Sequence, residues 1–565
     1  MGRLNIAFGD RSLSAAPFNL DDADLAWVRS TFDALNLDQK LGQLIIPICR
    51  DLSAEALDQQ LALGVGGLHR LPRRAEAELR DSAAYAQLKA ATPLLMTCDI
   101  EFSEKSSVGS GTFFPNQMAI GATGDRVHAT RMGAMAAREA GYLGFNLSWS
   151  PIGDLAANFR SSVVNTRAFG ADPAAVSAFV MEYHRGAREN GFATCLKHWP
   201  GDGVDDRDQH FVTSRNSLPL DEWRTSFGKI YADAIADGVQ IIMAGHITLP
   251  AYGASLGDDA DSPQHMPASL NADLSIRLLR QELGFNGVVV SDATLMNGFG
   301  ACGPRETIVP MCIENGCDIL LFPKDTLEDI GHLRRGLETG LLTKERLDQA
   351  VLRVLALKAS MGLHLSRGAI PDKSNKPQRL ASKEHRQWAR EASEAAVTLV
   401  KDTQHLLPLR PDKHRRILLA QPQERFSPSG PLQPLEIDRL LREAGFEVHC
   451  YQPDEPIDAT AYDIAMYVQA EEGMSAKEHL GPRWSEFHGR FPASMNRLWH
   501  WLPTIYVSLG TPFLLYHMPE CKTFVNAYSA ILPMQQAVVD ALMGKIAFSG
   551  RSPVDAFCGL PEAEN

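Results

Sequence analysis

The chain has 565 residues, 45% hydrophobic and 22% charged, so it can form more than one buried core and is not a disordered polymer. Its formal net charge of -13 disfavours binding to nucleic acid or anionic lipid through bulk electrostatics. The N-terminal sequence MGRLNIAFGDRSLSAAPFNL has no continuous apolar stretch like that of a signal peptide, and no later stretch is long enough to span a bilayer. The nine cysteines are scattered, as is typical of reduced thiols. We therefore predict a cytoplasmic protein with no nucleic-acid or membrane partner.

The first two thirds of the chain repeat one pattern, in which an apolar run of strand length is followed by a helical pattern. Continuously apolar strands that alternate with helices are typical of a parallel sheet covered on both faces. Eight such units predict a closed (β/α)8 barrel, although an open doubly wound sheet would give a similar pattern. The eight runs are LIIPI from Leu44, GVGGLH from Gly64, PLLMTCD from Pro93, FNLSWSP from Phe145, ATCLKHW from Ala193, QIIMAGH from Gln240, GVVVSDA from Gly287 and DILLFP from Asp318.

A second, smaller unit follows the repeats. The stretch SRGAIPDKSNKPQRLASKEH is rich in Pro, Lys and Ser and is typical of a linker. After it, the helical HRQWAREASEAAVTLV precedes strand-like RRILLA, DIAMYVQA and PTIYVSLG. We predict a barrel domain over residues 1–365, a linker over 366–381 and an α/β domain over 382–565.

Most of the eight runs end in polar residues. In a barrel the carboxyl ends of all strands meet at one mouth, where active sites form. A single such residue more often only ends a strand in solvent, but the repetition favours a shared site. The residues at these ends are His69, Arg70, Asp99, Asp154, Lys197, His198, His246, Asp292 and Lys324.

Several of these residues stand in motifs that resemble those of glycoside hydrolase family 3. A strand ending in Ser-Asp with Met four residues beyond fits the nucleophile motif of the family through Asp292 and Met296. The segments KHWPG (197–201), NTRAFG (165–170) and CDIE (98–101) resemble sugar-binding segments, and VTLVKD and LLPL resemble the family's α/β sandwich domain. The resemblance covers nearly the whole chain. It implies a barrel followed by an α/β sandwich, with Asp292 as nucleophile and the residues Asp99, Arg167, Lys197, His198 and Met296 as substrate-binding residues.

The loop after KHWPG resembles that of one branch of the family, the bacterial β-N-acetylglucosaminidases. In that branch Lys-His-x-Pro-Gly-x-Gly is followed by Asp-x-His, and here Asp208 and His210 have that spacing. The resemblance implies that His210 is the acid/base and that Asp208 orients it. It implies a retaining, exo-acting β-N-acetylhexosaminidase that forms a covalent glycosyl-aspartate on a small β-glycoside or oligosaccharide. We expect no cofactor and no bound metal, and a homodimer stays open.

Alternatives within the family also stay open. Members of the β-glucosidase branch often take a carboxylic acid from the second domain, and Glu471 and Glu472 follow a strand there. A neutral histidine base does not repel phosphate, so a phosphorylase is a further alternative. The family often has Gly-Gly-Arg where this chain has FSEKSSVGSGT, with Lys105 only a loose substitute, and PGDG stands where PGHG is common in the acetylglucosaminidase branch. The identity of the sugar is therefore open.

Two other classes of protein compete with a glycosidase. The loop over residues 198–210 holds two histidines and four aspartates that would suit a metal-dependent hydrolase, but their spacing matches neither an EF-hand nor an HExxH helix. A sugar-binding protein without catalysis would lack the nucleophile or the dyad, and both are present. Trp149, Trp199 and Phe169 would either stack on a sugar or pack in the core.

Overall fold

The first sheet of the protein is a ring of parallel strands. The computed structural model describes residues 4, 8–103, 107–257, 266–366, 369–422, 432–477 and 479–564. The eight strands of the ring are β1 (Ile45–Ile46), β2 (Gly67–His69), β3 (Leu95–Cys98), β4 (Leu147–Ser148), β5 (Ala193–Trp199), β6 (Ile241–Ala244), β7 (Val288–Ser291) and β8 (Leu320–Leu321). Strands β2 to β7 pair in chain order, and β1 pairs with β8. Parallel bridges from Ile48 to His69 and from Val290 to Ile319 join that pair to both edges of the six-stranded sheet. The predicted (β/α)8 barrel is confirmed.

Helices surround the ring and connect successive strands. Two further short strands, Ser214–Arg215 and Ile247–Thr248, pair with each other beside it. The helices of this part of the chain are Asp10–Ser14, Asp22–Ala34, Leu37–Gln43, Ala54–Ala62, Glu76–Lys89, Gln117–Thr123, Val127–Tyr142, Asn165–Arg167, Pro173–Arg188, Leu220–Thr225, Phe227–Ala236, Pro250–Ser255, Ala268–Leu270, Asp273–Glu282, Asn297–Gly300, Arg305–Glu314, Thr326–Thr339 and Lys344–Ser360.

The helix pair between β3 and β5 shows how the sequence produces this layer. Helix Pro173–Arg188 begins at Asp172, whose side chain accepts a hydrogen bond from the Ala175 N–H at 2.8 Å. It packs so closely on helix Val127–Tyr142 that a Cβ on Gly133 would lie 2.0 Å from the Tyr183 carbonyl oxygen. Only glycine permits this approach of the two helices.

The second sheet has six strands and mixed direction. Its strands are β9 (Thr398–Asp402), β10 (Arg416–Ala420), β11 (Glu447–Cys450), β12 (Ile464–Gln469), β13 (Thr504–Ser508) and β14 (Thr523–Asn526). The spatial order is β9-β14-β13-β12-β10-β11, with β9 antiparallel to β14 and the other pairs parallel. The helices of this part are Lys373–Asn375, Lys376–Arg379, Lys383–Ala396, Ile437–Glu443, Ala459–Ala461, Trp484–His488, Phe491–Ser494, Leu498–His500, Leu514–His517, Leu532–Leu542 and Pro561–Ala563. This α/β unit confirms the predicted two-domain architecture, while the boundaries at 365 and 382 remain a proposal.

The two domains share a buried apolar interface. Met118 and Val164 of the barrel domain belong to the same buried cluster as Val468 and Val507 of the second sheet. The Asn116 side-chain amide donates a hydrogen bond to the Tyr528 carbonyl oxygen at 2.7 Å. The second domain is therefore held against the side of the barrel to which Asn116 and Val164 belong. No helix among the described residues is long and apolar enough to cross a membrane.

A buried ion cluster lies just before β8. The carboxylate of Asp318 accepts hydrogen bonds from the side chains of Arg280 at 2.6 Å and Arg346 at 2.7 Å, and from the Val289 N–H at 2.9 Å. Burial alone raises the pKa of Asp318, but the charges of Arg280, Arg346 and Arg353 outweigh burial and hold it below its ordinary value. This cluster stabilises the fold at the end of the barrel opposite the mouth.

Replacement of Asp318 by Asn is expected to lower the free energy of unfolding by about 3–5 kcal/mol, because the buried arginines lose their counter-ion. The pKa of Asp318 is lower in the folded state than in the unfolded chain. The stability that Asp318 contributes is therefore present above the unfolded pKa of about 3.9 and is lost as the pH falls through the folded-state pKa. Urea unfolding at pH 7 measures the effect. The exposed Asp221→Asn is the control and is expected to change stability by less than about 0.5 kcal/mol. Equal stability of the two variants would contradict the role of the cluster.

Candidate active site

An open cleft lies at the mouth of the barrel, where the second domain meets it. Its empty volume is about 770 Å³. The lining residues come from the loops after β3, β4 and β5 and from the loop after β12, and they are Asp99, Glu101, Phe102, Ser103, Asn116, Thr166, Arg167, His210, Glu472, Gly473, Met474 and Ser475. Three residues predicted from the sequence, Asp99, Arg167 and His210, thus face one space. A cleft with several convergent charged groups is typical of a small-molecule site.

Asp292 follows β7 directly and is 6% exposed. Its carboxylate Oδ1 accepts a hydrogen bond from the Ala293 N–H at 2.7 Å, and Oδ2 lies 3.9 Å from His198 Nε2. Among the described residues Oδ2 has no hydrogen-bond partner. Burial raises the pKa of Asp292, but the neighbouring His198, His246 and His210 outweigh it and lower the pKa below its ordinary value. The result is an ionised carboxylate with one oxygen available for reaction.

His198 is held in one orientation by Asp154, which follows β4. The His198 Nδ1 lies 2.6 Å from Asp154 Oδ2, and the His198 N–H donates to Asp154 Oδ1 at 3.1 Å. With Nδ1 donating its hydrogen to a carboxylate, Nε2 is the nitrogen that faces Asp292. Asp154 is one of the polar residues predicted at the strand ends, and in the structure it orients His198.

Lys197 and Arg167 converge on Glu101. Arg167 forms a two-pronged ion pair with the Glu101 carboxylate, at 2.7 and 3.0 Å. Lys197 Nζ lies 2.7 Å from Glu101 Oε1 and 3.2 Å from Asp99 Oδ1. Burial raises the pKa of Glu101, but Arg167 and Lys197 outweigh it and lower the pKa. The sequence motif CDIE contains Glu101, but the motif predicted a role only for Asp99. The contribution of Glu101 was therefore not predicted.

Asp208 and His210 form a hydrogen-bonded pair on the loop after β5. His210 Nδ1 lies 2.5 Å from Asp208 Oδ1, which also accepts from the His210 N–H at 2.9 Å. The other oxygen of Asp208 accepts from the Ala476 N–H of the second domain at 3.2 Å. Burial raises the pKa of Asp208, but the hydrogen bonds and charge of His210 outweigh it and lower the pKa. Asp208 is thus ionised and fixes the Nδ1–H tautomer, which leaves Nε2 of His210 for proton transfer.

The second domain places one of its two candidate glutamates in the cleft. Glu472 is buried, and the Ser103 hydroxyl donates to its carboxylate, with Oγ 2.6 Å from Oε1 and 2.5 Å from Oε2. Oε1 also accepts a hydrogen bond from the Ala530 N–H at 3.3 Å. Glu471 instead forms an ion pair with Lys477. Lys105, named as a loose substitute for the missing arginine, lies outside the described residues.

Three further strand-end or motif residues have different surroundings. Met296 is half-buried and precedes the short helix Asn297–Gly300. His246 supports Asp292 indirectly, since its Nε2 lies 3.0 Å from the Ala293 carbonyl oxygen. Arg70 does not join the site, because its guanidinium donates to the carbonyl oxygens of Leu79 and Gly144.

The three aromatic residues near the strand ends are fully buried. Trp149, Trp199 and Phe169 have exposed fractions of 0%, 0% and 1%. Trp199 packs edge-on against Trp223 and Tyr231, at ring separations of 5.6 and 4.8 Å. These rings pack in the core. The described residues contain no group of three or more His, Cys, Asp or Glu side chains that could hold a metal ion.

A parallel eight-stranded ring with a mixed second sheet, and a buried carboxylate near a cleft that contains His210, fit a two-domain glycoside hydrolase. Residues 36–357 match the model of the glycosyl hydrolase family 3 N-terminal domain, and the chain belongs to this family. The chain is 38% identical over 563 residues to a beta-N-acetylglucosaminidase/beta-glucosidase of Cellulomonas fimi, covering 97% of this chain and 98% of that protein. It is 28% identical over 420 residues to beta-hexosaminidase A of Pseudoalteromonas piscicida, covering 70% of this chain and 68% of that protein.

The structure is also similar to solved structures over more than nine tenths of the chain. The beta-glucoside phosphorylase BglX, bound to 2FGlc, aligns with a TM-score of 0.89 and 33% identity and covers 97% of this chain and 100% of its own. A family 3 beta-N-acetylglucosaminidase from Paenibacillus sp. aligns with a TM-score of 0.80 and 24% identity, covering 93% of this chain and 100% of its own. The second match supports the fold alone.

Proposed function

We propose that this protein is a retaining, exo-acting β-glycosidase that releases a terminal β-linked N-acetylglucosamine from small β-glycosides or oligosaccharides. The observation that carries the proposal is the Asp208–His210 pair in the cleft that also holds Asp99 and Arg167, with Asp292 close to the same mouth. The acetylglucosaminidase and hexosaminidase names of the relatives support the choice of sugar. A cytoplasmic location and a homodimer remain predictions.

The first step would use Asp292 as nucleophile and His210 as acid. The ionised Asp292 attacks the anomeric carbon and forms a covalent glycosyl-enzyme. At the same time His210 gives a proton to the departing glycosidic oxygen. Asp208 stabilises the imidazolium form of His210 before this transfer, since its carboxylate lies 2.5 Å from Nδ1.

The second step would reverse the role of His210. The imidazole accepts a proton from water, the resulting nucleophile attacks the anomeric carbon, and the bond to Asp292 breaks. Two displacements at one carbon retain its configuration. Lys197, Arg167 and Asp99 would hold the sugar hydroxyls, and the ion pairs of Glu101 with Lys197 and Arg167 keep these cations in place.

A neutral base leaves phosphorolysis as a second candidate. In the second step an anionic base would repel phosphate, whereas a neutral His210 does not. The similarity to a beta-glucoside phosphorylase, at 33% identity and covering 97% of this chain, favours testing this acceptor and also a glucose-containing substrate.

The test is a comparison of kcat/KM on aryl β-N-acetylglucosaminide and aryl β-glucoside, each with and without inorganic phosphate. We expect a clear preference for the acetamido sugar and retention of the β configuration in the product, followed by NMR. Preference for the glucoside would assign the chain to β-glucosidase activity. Formation of sugar 1-phosphate as the main product when phosphate is present would replace hydrolysis by phosphorolysis.

A further inference from the structure

The loop over residues 208–213, here called the acid/base loop, is attached to the segment that carries the nucleophile. The backbone N–H of Asn297 donates a hydrogen bond to the His210 carbonyl oxygen at 2.9 Å. The side-chain amide of Asn297 donates to the next carbonyl oxygen, that of Phe211, at 2.7 Å. Asn297 follows Asp292 by five residues and begins a short helix. One residue of the nucleophile segment therefore holds two successive carbonyl oxygens of the acid/base loop.

Close packing and a buried glutamine add to this attachment. The Thr213 hydroxyl donates to the Gly298 carbonyl oxygen at 2.9 Å. A Cβ on Gly298 would lie 2.3 Å from the Gln209 carbonyl oxygen, so a larger residue would push the two segments apart. The Gln209 side chain is buried, accepts from the His246 N–H at 2.8 Å and donates to Asp202 Oδ2 at 3.2 Å. The acid/base loop is thus fixed both to the nucleophile segment and to the ends of the neighbouring strands.

The Asp208–His210 pair cannot by itself place the acid/base over the substrate. Both residues belong to one loop, so their hydrogen bond orients the His210 ring but moves with the loop. Loops at a surface are more mobile than the strands that they connect, and Phe211 is 56% exposed. A general acid has to lie within hydrogen-bond reach of the departing oxygen, and a misplacement of about 1 Å can cost on the order of 10²-fold in rate. A contact from outside the loop is therefore needed to set the position of His210 relative to Asp292.

We propose that Asn297 is a positioning residue for the acid/base and that its side-chain amide keeps His210 in place relative to Asp292. Among the anchors of the loop, Gln209 joins it to the strand ends and Ala476 joins it to the second domain, whereas Asn297 joins it to the segment of the nucleophile. The two reacting groups are close enough to interact, since the charge of His210 contributes to the lowered pKa of Asp292. This inference rests on the proposed function, because it takes His210 as the acid/base.

Replacement of Asn297 by Ala is expected to lower kcat/KM on N,N′-diacetylchitobiose by about 10–100-fold, because a misplaced acid protonates the departing sugar poorly. On 2,4-dinitrophenyl β-N-acetylglucosaminide the expected change in kcat/KM is less than about twofold, since this phenol leaves without a proton. A residue that only stabilises the fold would lower kcat/KM on both substrates alike. Steady-state kinetics of the native enzyme and the variant on both substrates measures the difference.

A second variant and a matched control accompany Asn297→Ala. Asn297→Asp keeps the shape of the side chain but replaces the donating amide by an oxygen that repels the Phe211 carbonyl oxygen, so the same selective loss is expected. It takes the place of the alanine variant if that variant fails to fold. In the control, Asn286→Ala, the lost amide donates to the carbonyl oxygens of Ser12 and Ala16 at 2.6 and 3.0 Å. Asn286 lies before β7, at the end of the strand opposite the mouth, and its variant is expected to keep native kcat/KM on both substrates.

The same pair of substrates, tested on His210→Ala, separates this inference from the proposed function. If His210→Ala loses disaccharide turnover selectively while the Asn297 variants resemble the native enzyme or lose both substrates alike, the inference is overturned and His210 remains the acid/base. If His210→Ala itself shows no selective loss, the proposed acid/base is wrong and the inference falls with it. If the enzyme prefers glucosides, cellobiose and 2,4-dinitrophenyl β-glucoside replace the two substrates, and the same comparison decides the inference whichever sugar is cleaved.

Discussion

Replacement of Asp292 by Asn is expected to lower kcat by more than about 10⁴-fold on every glycoside that the enzyme cleaves, as for loss of a covalent nucleophile. The amide is isosteric with the carboxylate but cannot attack the anomeric carbon. The Asp292 Oδ2 atom makes no hydrogen bond among the described residues, so Asn is expected to fit with little change in folding. Steady-state kinetics on an aryl β-N-acetylglucosaminide measures the effect.

The control for this variant is Asp221→Asn, an equal chemical change on an exposed helix. It is expected to retain native kcat. A 2-deoxy-2-fluoro-glucoside with an activated leaving group gives an independent readout, because its glycosyl-enzyme breaks down slowly and mass spectrometry then finds the sugar on the peptide that contains Asp292. An adduct on another residue, or an Asp292→Asn variant with more than a tenth of native kcat, would contradict the nucleophile assignment.

Replacement of His210 by Ala is expected to lower kcat/KM by about 10²–10⁴-fold on disaccharides, whose leaving groups need a proton. The loss is expected to be smaller on aryl glycosides with acidic phenols, because these leave without protonation. The kcat/KM of the variant is therefore expected to depend more steeply on the leaving group than that of the native enzyme. Steady-state kinetics on both substrates measures these effects.

Glu472→Gln is the matched variant for the rival acid/base in the second domain. Glu472 lines the same cleft as His210, but Ser103 and the Ala530 N–H hold its carboxylate. We expect disaccharide turnover to persist in Glu472→Gln and to be largely lost in His210→Ala. The reverse pattern, with disaccharide turnover retained in His210→Ala, would move the acid/base to Glu472. Thermal unfolding of both variants controls for loss of structure.

Local sequence pattern was sufficient for the strands and for the residues at their ends. Each of the eight apolar runs contains a strand of the ring, because short apolar runs that alternate with helical patterns favour buried parallel strands. The ends of β5 and β7 deliver Lys197, His198 and Asp292 to one mouth because the carboxyl ends of the strands in a closed barrel meet there. The Asp208–His210 pair was also predictable, since residues two apart in a tight loop reach each other without help from the fold.

Contacts between distant segments could not be predicted from the pattern. The Ala476 N–H reaches Asp208 across 268 residues, and the Ser103 hydroxyl reaches Glu472 across 369. Neither pair has a signature in the sequence, because a backbone N–H is carried by almost every residue and serines are common. The ion pairs of Glu101 with Lys197 and Arg167 depend in the same way on three loops that only the closed barrel brings together.

The sequence by itself determined the family, the eight-stranded ring and the chemical groups at its mouth, because periodic apolarity and short motifs are local properties of a chain. Only the tertiary structure decided that Trp149 and Trp199 pack in the core and that Glu472, not Glu471, faces the cleft. It also brought Arg160, His479 and Tyr516, which are far apart in the chain, into the lining of one cavity between the two domains. The physical reason is that burial and proximity arise from packing of whole elements, which no short stretch of sequence encodes.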